Sequence, residues 1–204
     1  MTQAMYGVKT SLSINVDGGY VIATVVFENN SGQSFYLYKK QIPTPDGKLC
    51  DERFYITTGN IKLDYLGGWC NYGSTFNEQD WIEVPTGEKY SYSVLLNQFY
   101  EFMPEMKNYS IGGLEQFIIN HEWIVKYHIR NFMRSILTSY DSCKHDYNFN
   151  YANNIESTKT YNEISILDYL SNLGLYDEKP HGIIRTNEVL IDIDGGKIKG
   201  FYSK

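Results

Sequence analysis

A chain of 204 residues with 42% hydrophobic side chains, among them 19 Tyr, 10 Phe and 3 Trp, can fill one sizeable core, which excludes a disordered polypeptide. A net charge of -6, a pI near 5.2 and no basic cluster argue against a nucleic-acid surface. No apolar run approaches the ~18 residues of a membrane span, and MTQAMYGVKT lacks the basic and apolar regions of a secretory signal, so the expected location is cytoplasmic.

The first half reads as short strands divided by turns. In Val8 to Val16, Leu12, Ile14 and Val16 alternate with Ser13 and Asn15, and Asp17-Gly18-Gly19 supplies residues that tolerate positive φ in a tight hairpin. The partner strand, Tyr20 to Asn29, is apolar on both faces near Val25 to Phe27, as a central strand would be. After a turn over Asn29 to Gly32 come FYLYKK, the stop PTPDGK, RFYIT, IKLDYLG, a long loop, DWIEV, the turn Pro85-Thr86-Gly87 and KYSYSVLLN. This spacing fits an all-β sandwich or barrel.

The period then changes. Leu114, Phe117, Ile118, Ile124, Val125, Phe132, Ile136 and Leu137 recur at threes, fours and sevens, which predicts a long amphipathic helix over 114–137. A polar stretch from Asp141 to Thr160 precedes a second helical pattern, Tyr161 to Leu173, closed by Gly174. NEVLIDI, the turn Asp194-Gly195-Gly196 and KIKGFY restore strand periodicity. The expected class is mainly β with an α insertion: an antiparallel β-sandwich formed by 1–111 and 181–204, with a helical insert over 112–180 packed on it.

FENNSGQSFYLYKKQIPTPDGKLCDERFYI, YLGG, DWIEVPTGEKYSYSVLLNQFYEF, NYSI and RTNEVLIDIDG together resemble the immunoglobulin-like β-sandwich that precedes the catalytic domain of deuterolysin-type metallopeptidases. The likeness spans roughly 8–111 and 185–202 and implies an immunoglobulin-like sandwich. It carries over no catalytic residue, because the family's GTxD motif is missing and 112–180 has no counterpart in it.

The stretch NHEWIVKYH tests the peptidase alternative. A zinc-peptidase helix needs His at i and i+4 with Glu at i+1. Val125 stands four after His121, and His128, at i+7, lies about 10 Å along the axis at ~1.5 Å per residue. Two polar residues at the edge of a packed helix explain the pair. Cys143, His145 and Asp146 are neighbours in a polar stretch, which does not hold a nucleophile and base in geometry. Asp192 to Gly196 lacks the closing Glu of a calcium loop and reads as a hairpin turn. Cys50, Cys70 and Cys143 are odd in number and match no metal spacing, the usual pattern of reduced thiols, although a Cys50–Cys70 bridge stays open in an oxidising compartment.

The loop Gly67 to Trp81 sets Trp69, Tyr72, Phe76 and Trp81 in a glycine-rich polar background. Such rings serve as contact anchors on binding surfaces and equally as plugs at the end of a sandwich. The expectation is a non-enzymatic protein-binding module, such as a bacterial inhibitor or immunity protein. Trp69, Tyr72, Phe76 and Trp81 would meet a partner, such as a basic toxin or enzyme drawn by the acidic surface, with no catalytic residue, metal or cofactor. The alternatives are a hydrolase or metal-dependent enzyme using His121, Glu122, His128 and His181 between insert and sandwich, and an envelope carbohydrate-binding module using the aromatic loop.

Overall fold

A computed structural model describes residues 7–70, 78–120, 124 and 181–200. The chain divides into two compact units, one of 1–120 with 181–204 and one of 121–180. All strands described below belong to the first.

Strands β1 (Val8–Asp17) and β2 (Tyr20–Asn29) pair antiparallel from Val8 opposite Asn29 to Asp17 opposite Tyr20. Their two-residue turn needs positive φ at both centres, and Gly18 at 56° and Gly19 at 84° provide it. β2 is central as its composition requires, with β7 (Lys89–Leu95) on its other edge. Asn29, fully buried, ends this strand. Its Nδ2 donates to the carbonyls of Gln33 and Val84 at 3.0 and 2.8 Å, and its Oδ1 accepts from the Ser31 amide at 3.0 Å.

Strands β3 (Phe35–Tyr38), β4 (Phe54–Thr58), β5 (Ile61–Lys62) and β6 (Trp81–Val84) form the two arms of one long interrupted hairpin. β3 pairs with β6 and β4 with β5, and from Tyr38–Trp81 to Thr57–Lys62 both arms advance 19 residues (38 to 57, 81 to 62). The register therefore survives the interruption. Their neighbour advances much less: from Leu37 opposite Ile118 to Ile56 opposite Ile111, the hairpin arm uses 19 residues and the neighbouring strand 7. The excess must leave the sheet, and it forms the excursions that carry the candidate site.

That neighbour is β8 (Met106–Gly113) continued by β9 (Gln116–Asn120), which pairs with β10 (His181–Ile184) and β11 (Glu188–Asp194). One register again runs through both halves, from Asp194 opposite Met106 to His181 opposite Ile119. At the break between them Arg185 pairs with Glu115, and the Gly113 amide donates to the Thr186 hydroxyl at 2.8 Å. The sheets are β1-β2-β7, β10-β9-β3-β6 and β11-β8-β4-β5.

This ribbon corrects the expected fold class. The helix predicted from Leu114 is, over Gln116–Asn120, a strand between β3 and β10. Ile118 and Ile119 are both buried, so the strand is covered on both faces, and its apolar run matched a helical spacing by coincidence. Gly112 and Gly113 also belong to a strand, so the insert does not begin at 112. The elements formed by the described residues are strands and 3-10 turns, with Ile124 the one described residue in helical conformation, and the mainly-β-with-α-insertion class is not supported. Apart from Ile124, the predicted first helix beyond Asn120 and the second helical pattern, Tyr161 to Leu173, lie outside the described residues. Asp194-Gly195-Gly196 is not a hairpin either. Gly195–Lys197 is a 3-10 turn capped by the Asp194 carboxylate on the Gly196 amide, and the chain then runs back so that the Lys199 amide donates to the Gly19 carbonyl at 2.9 Å.

The sheets share one core. Val21, Val25 and Phe27 come from the first sheet, Phe35, Leu37 and Ile118 from the second, and Phe54, Ile56, Tyr109 and Ile111 from the third. Two tyrosines bury their rings there without orphaning their hydroxyls. Tyr100 donates to the Phe54 carbonyl at 2.9 Å, and Tyr109 accepts from the Met103 amide at 3.0 Å. Among the described residues no helix is long and apolar enough to cross a membrane.

Candidate binding cleft

The two excursions are joined covalently. Cys50, on the arm between β3 and β4, is bridged to Cys70, on the arm between β5 and β6, with Cα atoms 4.9 Å apart. The conserved register explains the meeting: the hairpin turns at Gly59 and Asn60, and the two cysteines stand at nearly equal distances along the arms. Around the bridge the Cys70 amide donates to the Cys50 carbonyl at 2.8 Å, and the Tyr65 hydroxyl donates to the Leu49 carbonyl at 2.9 Å. Tyr65 lies over Gly67, where a Cβ would meet the phenol and force its ring aside. The Tyr65 ring stacks on Phe99 at 6.2 Å and meets Trp69 edge-on at 6.1 Å.

Beside this clasp lies a cleft of about 890 Å³. One wall is the excursion pair, with Thr44, Asp46 and Lys48 on one arm and Gly68 and Trp69 on the other. The opposite wall is Asn97–Phe99, Tyr20 and Lys199. Trp69 is 77% exposed, an unusual state for the largest apolar side chain, and it stands on a backbone fixed by the adjacent disulfide. Asn97 is buried and ties the second wall together. Its Oδ1 accepts from the Val21 amide at 3.0 Å and its Nδ2 donates to the Lys199 carbonyl at 2.9 Å.

The charges at the rim are arranged unequally. The turn Thr44-Pro45-Asp46-Gly47 closes with the Gly47 amide on the Thr44 carbonyl at 2.8 Å, and Gly47 takes φ 79°. This places Asp46 against Lys48 at 2.7 Å and the Thr44 hydroxyl at 2.5 Å, and those hydrogen bonds hold the Asp46 carboxyl down to about 2. The Lys199 ammonium instead sits 3.9 Å from the centre of the Tyr20 ring. Behind the cleft, burial, assisted by the Asp51 carboxylate, pushes the Tyr65 phenol up to about 12.

Of the four aromatic residues expected to meet a partner, Trp69 lines the cleft. Trp81 does not. It is half-buried in β6, where its ring lies 5.0 Å from that of its cross-strand neighbour Tyr38. Tyr72 and Phe76 lie outside the described residues, as do His121, Glu122, His128, Cys143, His145 and Asp146. His181 opens β10 opposite Ile119. Among the described residues no three His, Cys, Asp or Glu side chains are grouped to hold a metal ion. Sequence reasoning missed Tyr20, Asn97 and Lys199, which reach the cleft only through contacts between distant parts of the chain. No family model matches this chain, and no curated protein sequence matches it.

Proposed function

We propose that the protein is a non-enzymatic module that binds a protein partner at the Trp69 cleft, in the manner of an inhibitor or immunity protein neutralising a toxin or effector. The observation that carries the reading is an indole 77% exposed on a covalently clasped hairpin. A rigid aromatic side chain loses little conformational freedom on binding, and anchors of this kind dominate protein interfaces. The ionisable groups here also suit recognition better than proton transfer at neutral pH, since Asp46 titrates near 2 and Tyr65 near 12. The Cys50–Cys70 bridge favours an oxidising compartment over the cytoplasmic location expected from the lack of a secretory-signal pattern in MTQAMYGVKT.

The test is to place a photo-crosslinking amino acid at position 69 and, as a control on another exposed apolar position, at Leu190, 72% exposed in β11. The reading predicts a discrete protein adduct from position 69 alone when the protein is illuminated in extracts of its own source. Equal labelling from both positions, or none from position 69, refutes it. A carbohydrate-binding module is the second reading, favoured by the exposed indole beside the Thr44 hydroxyl and the Gln98 amide. A glycan array on which binding disappears in Trp69→Ala would select it.

A further inference from the structure

We propose that the Trp69 cleft takes an acidic peptide segment, with a partner carboxylate on the Lys199 ammonium and an adjoining apolar side chain against the Trp69 indole. The inference rests on the reading of the cleft as the partner site and assigns the sign of the charge that the site accepts. The chain's overall charge of -6 favours encounter with a basic partner. At contact, charges within a Debye length of about 8 Å decide instead.

Among the described residues, the formally charged side chains lining the cleft are Asp46, Lys48 and Lys199. Asp46 and Lys48 pair with each other at 2.7 Å and neutralise one another. Lys199 remains, and among the described residues no carboxylate forms an ion pair with it. Its position is set from three sides. Its amide donates to the Gly19 carbonyl at 2.9 Å, its carbonyl accepts from the buried Asn97 amide at 2.9 Å, and its ammonium rests over the Tyr20 ring at 3.9 Å. The ring face attracts the cation without accepting a conventional hydrogen bond, which keeps ammonium N–H donors available for a carboxylate. The backbone at Lys199 is thus fixed and the ring biases the ammonium toward the cleft side of Tyr20, which lowers the side-chain freedom lost when an anion arrives. Trp69 supplies an apolar surface in the same cleft and Gln98 an exposed amide. An Asp or Glu next to an apolar residue on one peptide strand satisfies this combination.

Calorimetric titration of the full chain tests it with three probes: a short acetylated and amidated peptide of Glu and Leu, its counterpart with Lys at every Glu, and oligogalacturonate as an acidic saccharide. The acidic peptide should bind at least about tenfold more tightly than the basic one and weaken as salt rises. Lys199→Gln should reduce that affinity about tenfold or more, the size of a lost charge-assisted hydrogen bond. Lys199→Arg should largely keep it. Lys107→Gln, which removes a cation paired with Glu105 outside the cleft, should leave it unchanged. Preference for the basic peptide, equal affinity for both, or binding of the saccharide alone overturns the proposal. Trp69-dependent binding of the basic peptide would do so while leaving the protein-binding reading intact. Absence of all peptide binding overturns the proposal by itself, and joined to no adduct from position 69 it removes the protein-binding reading as well.

Discussion

Replacing both bridge cysteines, Cys50→Ser with Cys70→Ser, should destabilise the protein by about 3 kcal/mol. The bridge closes a loop with a sequence separation of 20. In the chain-entropy account, breaking a loop of that size returns about 11 cal/mol/K to the unfolded chain, or about 3 kcal/mol at room temperature. The folded state should change little, because the Cys70–Cys50 backbone hydrogen bond and the Tyr65 bond to the Leu49 carbonyl do not need sulfur. With a urea m-value of about 2 kcal/mol/M, the unfolding midpoint should fall by about 1.5 M while m stays constant. Urea titration followed by tryptophan fluorescence gives both quantities. A shift below about 0.5 M would refute the reasoning, because the bridge would then place no important constraint on the unfolded chain. A changed m-value would locate the effect in the compactness of the denatured state.

Asn97→Ala should cost about 2–3 kcal/mol in chemical denaturation, since it leaves the Val21 amide and Lys199 carbonyl without their partner in a buried place. Gly67→Ala should push the Tyr65 ring off its stack on Phe99 and lower the unfolding midpoint, and an unchanged midpoint would show that the ring moves aside at no cost. Tyr65 makes stability pH-dependent on the alkaline side. Burial raises its folded pKa to about 12 above an unfolded value near 10, so the neutral form is favoured in the fold. That contribution is complete below pH ~10 and is lost as pH rises through about 12. Tyrosinate absorbance should show a late-titrating phenol that reverts to the ordinary range in denaturant.

The first hairpin was legible because its information is local: a half-buried strand alternates, and Gly18-Gly19 permits a turn that few other residue pairs allow. β9 was misread because its partners are distant. Its second ladder joins Gln116 to Ile184, and burial of both Ile118 and Ile119 erased the alternation that marks a strand. The β-branched pair in QFIIN was the available signal, outweighed by the spacing of Leu114, Phe117 and Ile118. The bridge was also within reach. Cys50 stands nine residues before Gly59 and Cys70 ten after Asn60, so reading Gly59-Asn60 as the centre of one long hairpin brings the thiols together. An odd cysteine count hid that symmetry. At the candidate site, glycine-rich surroundings identified Trp69, whereas Trp81 followed the strand alternation of DWIEV into a sheet. Lys199 and Asn97 could not be read from sequence, because a contact between residues 102 apart leaves no local pattern.

The central claim is that Trp69 is presented to a partner and does not plug the core. Its most direct test is the affinity of the partner crosslinked from position 69 for the wild-type protein and for Trp69→Ala, with urea unfolding measured on the same two samples. The account predicts a loss of about 1–4 kcal/mol in binding with an unfolding midpoint that hardly moves. An unchanged affinity accompanied by a stability loss of about 3–5 kcal/mol would contradict it, because Trp69 would then be part of the core.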